Sequence, residues 1–430
     1  MKQFKTIPGT FDILPDGHTS GGDFIAPTRV WLRLEEVVRN VMTRYGASEI
    51  RTPILEPTEL VARGIGALTD IVSKEMFSFE RGSTHYVMRP EVTAPVMRAY
   101  LQHSLAQKGG TQRLFYIGPC FRAERPQKGR YRQFHQFGIE IIGSEDARAD
   151  AESIASLRDI VVELGISEYT LRINSLGDEE SRPRFKQALI DYLTPFANDL
   201  SEVSRNRLES NPLRILDTKN EKEQELLQDA PLLTDFIDDE SRAHFDSVKQ
   251  YLTDVRIAFV EDPRLVRGLD YYSRTAFEFE SPSLGAQSSF AGGGRYDLLS
   301  KEVGSKQVVP AVGFAAGIER MIMAMYASGM EESLAGKPDV FIVALGDSAV
   351  DWTFSAAQKL RDEGLNVSYD LKGRSMKAQM REANRQNSRF VAIVGDDELA
   401  SEVVQLKNMA DSSQESVPLS DLLSIVQKPA

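Results

Sequence analysis

Apolar residues recur at helical spacing between Arg29 and Tyr45, where Val30, Leu34, Val37, Val38, Val41, Met42 and Tyr45 are separated by Arg and Glu. That period predicts an amphipathic helix, stopped by Gly46. In the next stretch, EIRTPILEPTEL, Pro53 and Pro57 confine any strand to a sheet edge or a bulge. RLFYIGPCFRAE (113–124) and RQFHQFGIEIIG (132–143) are rich in aromatic and β-branched residues, with the polar RPQKGRY between them. Strand, long loop, strand follows, an antiparallel hairpin.

The pattern changes over 175–252, where RFKQALIDYLTPF and SRAHFDSVKQYL are polar and helical in period, which predicts an inserted helical segment. Strand character returns at RIAFVED and TAFEFES. The run Gly292, Gly293, Gly294 then suggests backbone held close to something, although an ordinary turn has the same composition. GFAAGIERMIMAMYASG (313–329) predicts a helix with Ile318, Met321, Ile322 and Met325 on one face. After a linker at 328–338, strand and helix patterns alternate from DVFIVAL to VVQLKN, which predicts a compact α/β domain over 338–430.

Composition narrows the class. The chain has 430 residues, 41% hydrophobic and 27% charged, which suits a soluble globular protein of several domains. No apolar run approaches the ~20 residues that span a bilayer, and the N-terminus lacks the apolar stretch of a signal peptide. A cytoplasmic address is the expectation. The lone Cys120 excludes an internal disulfide and a cysteine-rich zinc cage, and five scattered histidines point away from a His-based metal site.

Charge raises the sharpest question. The formal net charge is −12, yet Arg122, Arg125, Lys128, Arg130 and Arg132 crowd into the hairpin with only Glu124 to answer them. Such a cluster either is solvated or meets an external anion, and the guanidinium fork suits phosphate or carboxylate. Tyr131 and Phe134, interleaved with these cations, are able to stack on bases. A second cationic set, Arg374, Lys377, Arg381 and Arg385, is spaced 3, 4 and 4 and would line one helix face. A solvated face would have the same spacing.

FRAERPQKGRYRQFHQFGIEIIG resembles the second signature motif of class II aminoacyl-tRNA synthetases, in the form found in bacterial histidyl-tRNA synthetases. RTPILEPTEL resembles the first motif, with Pro53 at its dimer interface, and GFAAGIER the third. RGLDYYSRTAFEFE (267–280) and AGGGRYD (291–297) resemble the two histidine-specific signatures, and TDIVSKEMFSFE and RPEVTAPVMRAY also fit. The resemblance covers nearly the whole chain. It implies an α+β fold: a class II catalytic core over 1–330, with an antiparallel β-sheet flanked by helices, the helical insertion at 175–252, and a C-terminal α/β anticodon-binding domain.

The implied reaction joins the histidine carboxylate to the α-phosphate of ATP and expels pyrophosphate, then passes histidine to the 3′ end of histidine tRNA. A carboxylate is already ionised at pH 7, so activation needs no general base, and a cation-rich site suits it. By resemblance Arg122 grips the α-phosphate, Arg130 and Arg320 hold the far end of the triphosphate, and Glu124 belongs to the ATP site. Arg267 bridges the histidine carboxylate and α-phosphate; a strand-end ion pair with Asp270 is its structural alternative. Glu140 and Tyr272, with Tyr271 beside them, read the imidazole, and Glu91, Thr93 and Gln136 hold the α-ammonium group. Gly292, Gly294 and Tyr296 floor the pocket. The family often has Gly where this chain has Val92.

Arg125 and Gln127 match residues that meet the extra 5′ guanosine of histidine tRNA, and the helix with Arg374, Lys377, Arg381 and Arg385 would grip the anticodon stem-loop. The insertion would approach the acceptor arm. ATP with Mg2+, L-histidine, histidine tRNA and a second copy of the chain are the implied partners, with no membrane, DNA or protein-held metal. Two other readings compete. A non-catalytic paralog that regulates histidine biosynthesis lacks the anticodon domain and erodes RGLDYY. The threonine enzyme needs zinc ligands, for which Cys120 has no partners.

Overall fold

The computed structural model describes residues 4–427 apart from 67, 68, 70, 217, 219, 268, 270 and 331–336. Gly268 and Asp270 of RGLDYY, and part of the linker predicted at 328–338, therefore lie outside the described residues. Two compact units emerge, 1–331 and 332–430.

The first unit is built on an eight-stranded sheet, in the order Val260–Glu261, Thr170–Ser175, Ser273–Glu280, Ser289–Arg295, Ala311–Gly317, Gln133–Ile142, Gln112–Phe121, Ser48–Glu49. Neighbours run antiparallel except at the two edges. Strands Gln112–Phe121 and Gln133–Ile142 form the predicted hairpin. The strand expected at RIAFVED shrinks to Val260–Glu261.

Side-chain alternation divides the labour of the two sheet faces. Phe137, Ile139 and Ile141 pack against helix Thr28–Arg44, which buries Val30, Trp31, Leu34, Val37, Val38, Val41 and Met42 as its period predicted. Each such side chain contributes about 1.5–3 kcal/mol relative to exposure. The intervening positions Gln136, Gly138 and Glu140 point to the opposite face. Tyr116, Tyr271, Tyr272 and Tyr296 pack there with Phe185, Leu189 and Leu193 of the insertion. The insertion consists of helices Ser181–Leu193, Glu202–Ser210, Glu221–Leu226 and Asp239–Asp254 with short turns between them.

One expectation fails outright. Residues 313–317 are not helical: Ala311–Gly317 is a central strand, and the helix starts only at Ile318. The glycines and alanines that weakened the strand signal are what the sheet requires here. Gly313 pairs with Glu140, and a Cβ on Gly313 would overlap the Glu140 carboxylate. The run Gly292–Gly294 is likewise strand rather than turn, paired on both sides. Leu55–Pro57 is an edge strand of a separate three-stranded sheet with Thr84–Met88 and Ser78–Arg81, the position its prolines allow.

The second unit has a five-stranded sheet in the order Val367–Tyr369, Val340–Leu345, Phe390–Gly395, Val403–Asn408, Gln414–Pro418. The first three strands are parallel and the last two pair antiparallel. Helices Asp347–Asp362 and Met376–Arg385 accompany them. Strand Gln414–Pro418 has one buried residue, Val417, and so gave no periodic signal.

Candidate active site

A cavity of about 480 Å3 opens on the tyrosine face of the large sheet. Arg122, Glu124 and Arg130 reach it from the hairpin, Arg320 from helix Ile318–Ala327, and Glu91, Thr93, Gln136, Arg267, Tyr271, Tyr272 and Gly292 complete its motif residues. Residues from five separate stretches of sequence thus meet in one space.

The cations are fixed before any ligand arrives. Arg122 donates from Nε to the carbonyl of Pro90 at 3.2 Å and lies over the Phe134 ring, 5.0 Å from its centroid. Arg320 donates to the carbonyls of Gly129 at 3.1 Å and Ser289 at 2.7 Å. Carbonyl acceptors orient a guanidinium without neutralising it. Burial, followed by the charges of Arg130 and Arg122, pushes the Arg320 pKa below its usual value. The three cations therefore repel one another across the cavity, and a polyphosphate relieves that repulsion. Arg130 is held by Glu124 at 2.9 Å.

The base of the hairpin loop is clasped by the N-terminal segment. Arg132 donates its backbone N–H to the Gly9 carbonyl at 2.7 Å and its guanidinium to Pro8 O at 3.3 Å. The Tyr131 ring packs edge-on against Phe11, and its hydroxyl donates to Asp23 at 2.9 Å. Arg132 is thus a structural member of the cationic run.

Below the cavity lies a buried polar group. Glu140, 1% exposed, accepts from the Thr93 hydroxyl at 2.7 Å and from the Tyr296 hydroxyl. Burial raises its pKa from 4.5 to about 8, against the Tyr296 and Thr93 hydroxyls, which pull it down. The solvent-facing alternative for this strand position is excluded. Glu91 accepts backbone N–H groups of Thr93 at 2.6 Å and Ala94 at 3.0 Å, which fixes its carboxylate at the start of helix Thr93–Gln102. Burial nevertheless raises its pKa, those N–H groups pulling the other way. Val92 has φ −119°, which any L-residue adopts, so glycine is not needed there.

Arg267 pairs with Glu278 at 2.5 Å and lies 5.6 Å from the Tyr272 ring centroid. Its guanidinium occupies the space above Gly292, where an added Cβ would overlap it. The same test at Gly294 meets Thr275 O and the Tyr272 ring. The glycine run is a floor thin enough for one arginine and one tyrosine to lie upon it.

Glu140, Gly294 and Tyr296 support the cavity from beneath. Arg125 and Gln127 stand apart, exposed on the hairpin loop, where Gln127 and Arg130 close a turn through Gly129 (φ +70°). Sequence reasoning missed Glu278, which has no signal beyond an alternating strand. It also missed Glu319, which accepts the His135 backbone N–H at 2.9 Å and meets its Nδ1 at 2.9 Å. Arg207 and Arg214 of the insertion line the cavity too, unforeseen from a segment read only for its helical period.

The second cationic set needs correction. Helix Met376–Arg385 begins after Arg374, so Arg374 is not on its face; it pairs with Asp370 instead. Arg385 pairs with Glu382 at 2.5 Å. Lys377 and Arg381 remain exposed on the helix with no ion pair among the described residues.

A family model described as histidyl-tRNA synthetase matches residues 27–321, and one described as an anticodon binding domain matches 339–429. The chain is 49% identical over 428 residues to the histidine–tRNA ligase of Chloroherpeton thalassium, covering 99% of this chain and 98% of that one. It is 45% identical over 427 residues to the histidine–tRNA ligase of Geobacillus thermodenitrificans, covering 98% of each. The crystal structure of apo histidyl-tRNA synthetase from S. aureus matches with a TM-score of 0.81 at 34% identity, over 99% of this chain and 100% of that one.

Proposed function

The chain belongs to the histidyl-tRNA synthetase family and ligates histidine to tRNA at the expense of ATP, and from this premise we propose how its residues share the work. The histidine carboxylate attacks the α-phosphorus, a P–O bond forms, and the bond to the β-phosphate breaks as pyrophosphate leaves. Arg122 and Arg267 neutralise the charge that develops at the α-phosphate. Arg130 and Arg320 hold the departing pyrophosphate, with Glu124 keeping Arg130 in place until the nucleotide enters. The observation that carries this reading is the crowding of Arg122, Arg130 and Arg320 around one cavity, two of them held by carbonyls.

Selection of histidine falls to the buried group beneath. Glu140, set by Thr93 and Tyr296, faces one imidazole nitrogen, and Tyr272 the other, with Tyr271 packed beside it. A side chain without those nitrogens leaves buried polar groups unpaired, which costs strongly. Glu91 and Gln136 take the ammonium group. Among the described residues no three His, Cys, Asp or Glu side chains cluster to hold a metal by themselves. Glu124 and Glu278 would hold a Mg2+ ion bound with the nucleotide, which would supply charge neutralisation there.

Arg125 and Gln127 on the exposed loop meet the 5′ end of the tRNA, and Lys377 and Arg381 contact anticodon-stem phosphates. The chain works as a cytoplasmic homodimer, for which exposed Ile54, Leu55 and Phe79 around the three-stranded sheet offer an apolar surface. Histidine-dependent ATP–pyrophosphate exchange, followed by charging of tRNA with and without the extra 5′ guanosine, tests the scheme. Exchange that does not depend on histidine overturns the pocket; equal charging of both tRNAs removes the role of Arg125 and Gln127.

A further inference from the structure

One wall of the reaction cavity is made by the helical insertion. Arg207, on helix Glu202–Ser210, and Arg214, in the turn Pro212–Ile215, both line the space that Arg122, Arg130 and Arg320 face. The Arg207 guanidinium donates to the Arg214 carbonyl at 3.0 Å, which ties helix to turn and leaves the Arg207 charge intact. Arg214 also shares a narrow recess with Arg182, Arg267 and Leu269, a recess that none of Arg122, Arg130 and Arg320 reaches. Arg214 therefore stands beside Arg267, where the histidine carboxylate sits under the scheme above, and Arg207 is tied to it through the Arg214 carbonyl.

We propose that Arg207 and Arg214 form a second phosphate subsite, filled by a phosphodiester of the tRNA 3′ end as its terminal ribose reaches the histidyl group. This rests on the assignment of the cavity to histidine and ATP. Phosphate chemistry has two sources in this reaction, the nucleotide and the tRNA backbone, and the position of the pair favours the second. The triphosphate already has three arginines of its own. The attacking ribose carries a 5′-phosphate on the same sugar, so a phosphodiester must come to rest close to the acyl carbon, on the side where Arg207 and Arg214 stand. The insertion would then do more than touch the acceptor arm from outside: it would complete the site for the second half-reaction.

Two readouts separate the sources. The first is histidine-dependent ATP–pyrophosphate exchange; the second is single-turnover transfer from preformed histidyl-adenylate to sub-saturating tRNA across a salt series. For Arg207→Ala and Arg214→Ala, transfer falls roughly tenfold further than exchange, and the slope of log rate against log salt shrinks by about 1 per arginine. Arg207→Lys keeps the charge and recovers most of the transfer rate, whereas Arg207→Glu loses more than alanine, an order that mere loosening of the insertion would not give. Exchange that falls as far as transfer places the pair on the nucleotide and overturns the proposal. Transfer and salt slope unchanged from wild type overturn the subsite alone. Wild-type protein without histidine-dependent exchange overturns the cavity assignment and the subsite with it.

Discussion

Arginine is held in two different ways: Arg122 and Arg320 donate to main-chain carbonyls, whereas Arg130 and Arg267 of the same unit, and Arg374 and Arg385 of the C-terminal unit, pair with carboxylates. In the catalytic unit the carbonyls of Pro90, Gly129 and Ser289 set the geometry of Arg122 and Arg320. In the C-terminal unit Arg374 and Arg385 are held by carboxylates, and Arg385, with Gln386, drags the Glu382 pKa down to about 2. Charge is there partly spent within the protein. Lys377 and Arg381, exposed and unpaired among the described residues, keep theirs but have no fixed direction. The contrast fits the two tasks proposed above. Reaction at phosphorus requires donors already in position. Contact with a flexible RNA backbone tolerates long, hydrated side chains that adapt.

This contrast predicts unequal penalties. Arg122→Ala should lower pyrophosphate exchange by about 10²–10³-fold, the usual loss of one preorganised donor. A drop of only a few-fold, with the melting temperature unchanged, would mean that position and charge at Arg122 are not critical. In the other unit, Arg381→Glu should weaken tRNA binding by about tenfold at moderate salt, with a smaller effect at high salt. Arg385→Glu should do less, because Glu382 already answers that guanidinium. Equal effects of the two reversals in a tRNA-binding titration would show that the ion pair does not matter.

A pH-linked effect belongs to the acidic side of the site. Burial pushes the Glu140 carboxyl up from 4.5 to about 8 in the folded protein. The folded protein holds this proton more tightly, so the stability it contributes is complete below pH 4.5 and is lost as pH rises through 8. Melting temperatures of the ligand-free wild type should therefore fall between pH 5 and 8.5 by more than those of Glu140→Gln. Parallel curves would mean that Glu140 ionises normally.

Much of this was legible in the sequence because it depends on period and on local density of charge. Helix Thr28–Arg44, the hairpin and the cationic run all have short-range signatures. Glu140 was placed by resemblance, and its inward direction follows from alternation with Phe137, Ile139 and Ile141. What escaped depends on long-range pairing. The helix predicted over 313–329 overruns residues 313–317 of strand Ala311–Gly317 because Gly and Ala carry no strand propensity; they are explained only once Glu140 lies opposite Gly313. Arg374 was placed on a helix by spacing alone, although Asp370, four residues earlier, holds it outside. Arg207 and Arg214 gave no pattern, since their meaning comes from folding back onto a distant sheet.

The clasp between the N-terminal segment and the hairpin carries a practical consequence. Pro8 and Gly9 supply carbonyls to Arg132, and Phe11 and Asp23 anchor Tyr131 beside the nucleotide cavity. Trimming the first dozen residues, or fusing a bulky affinity tag against them, would release the loop that orients Arg130 while leaving every catalytic side chain in the gene. Such a preparation would keep its fold and still charge poorly, and the fault would lie in its cloning junction rather than in its active site.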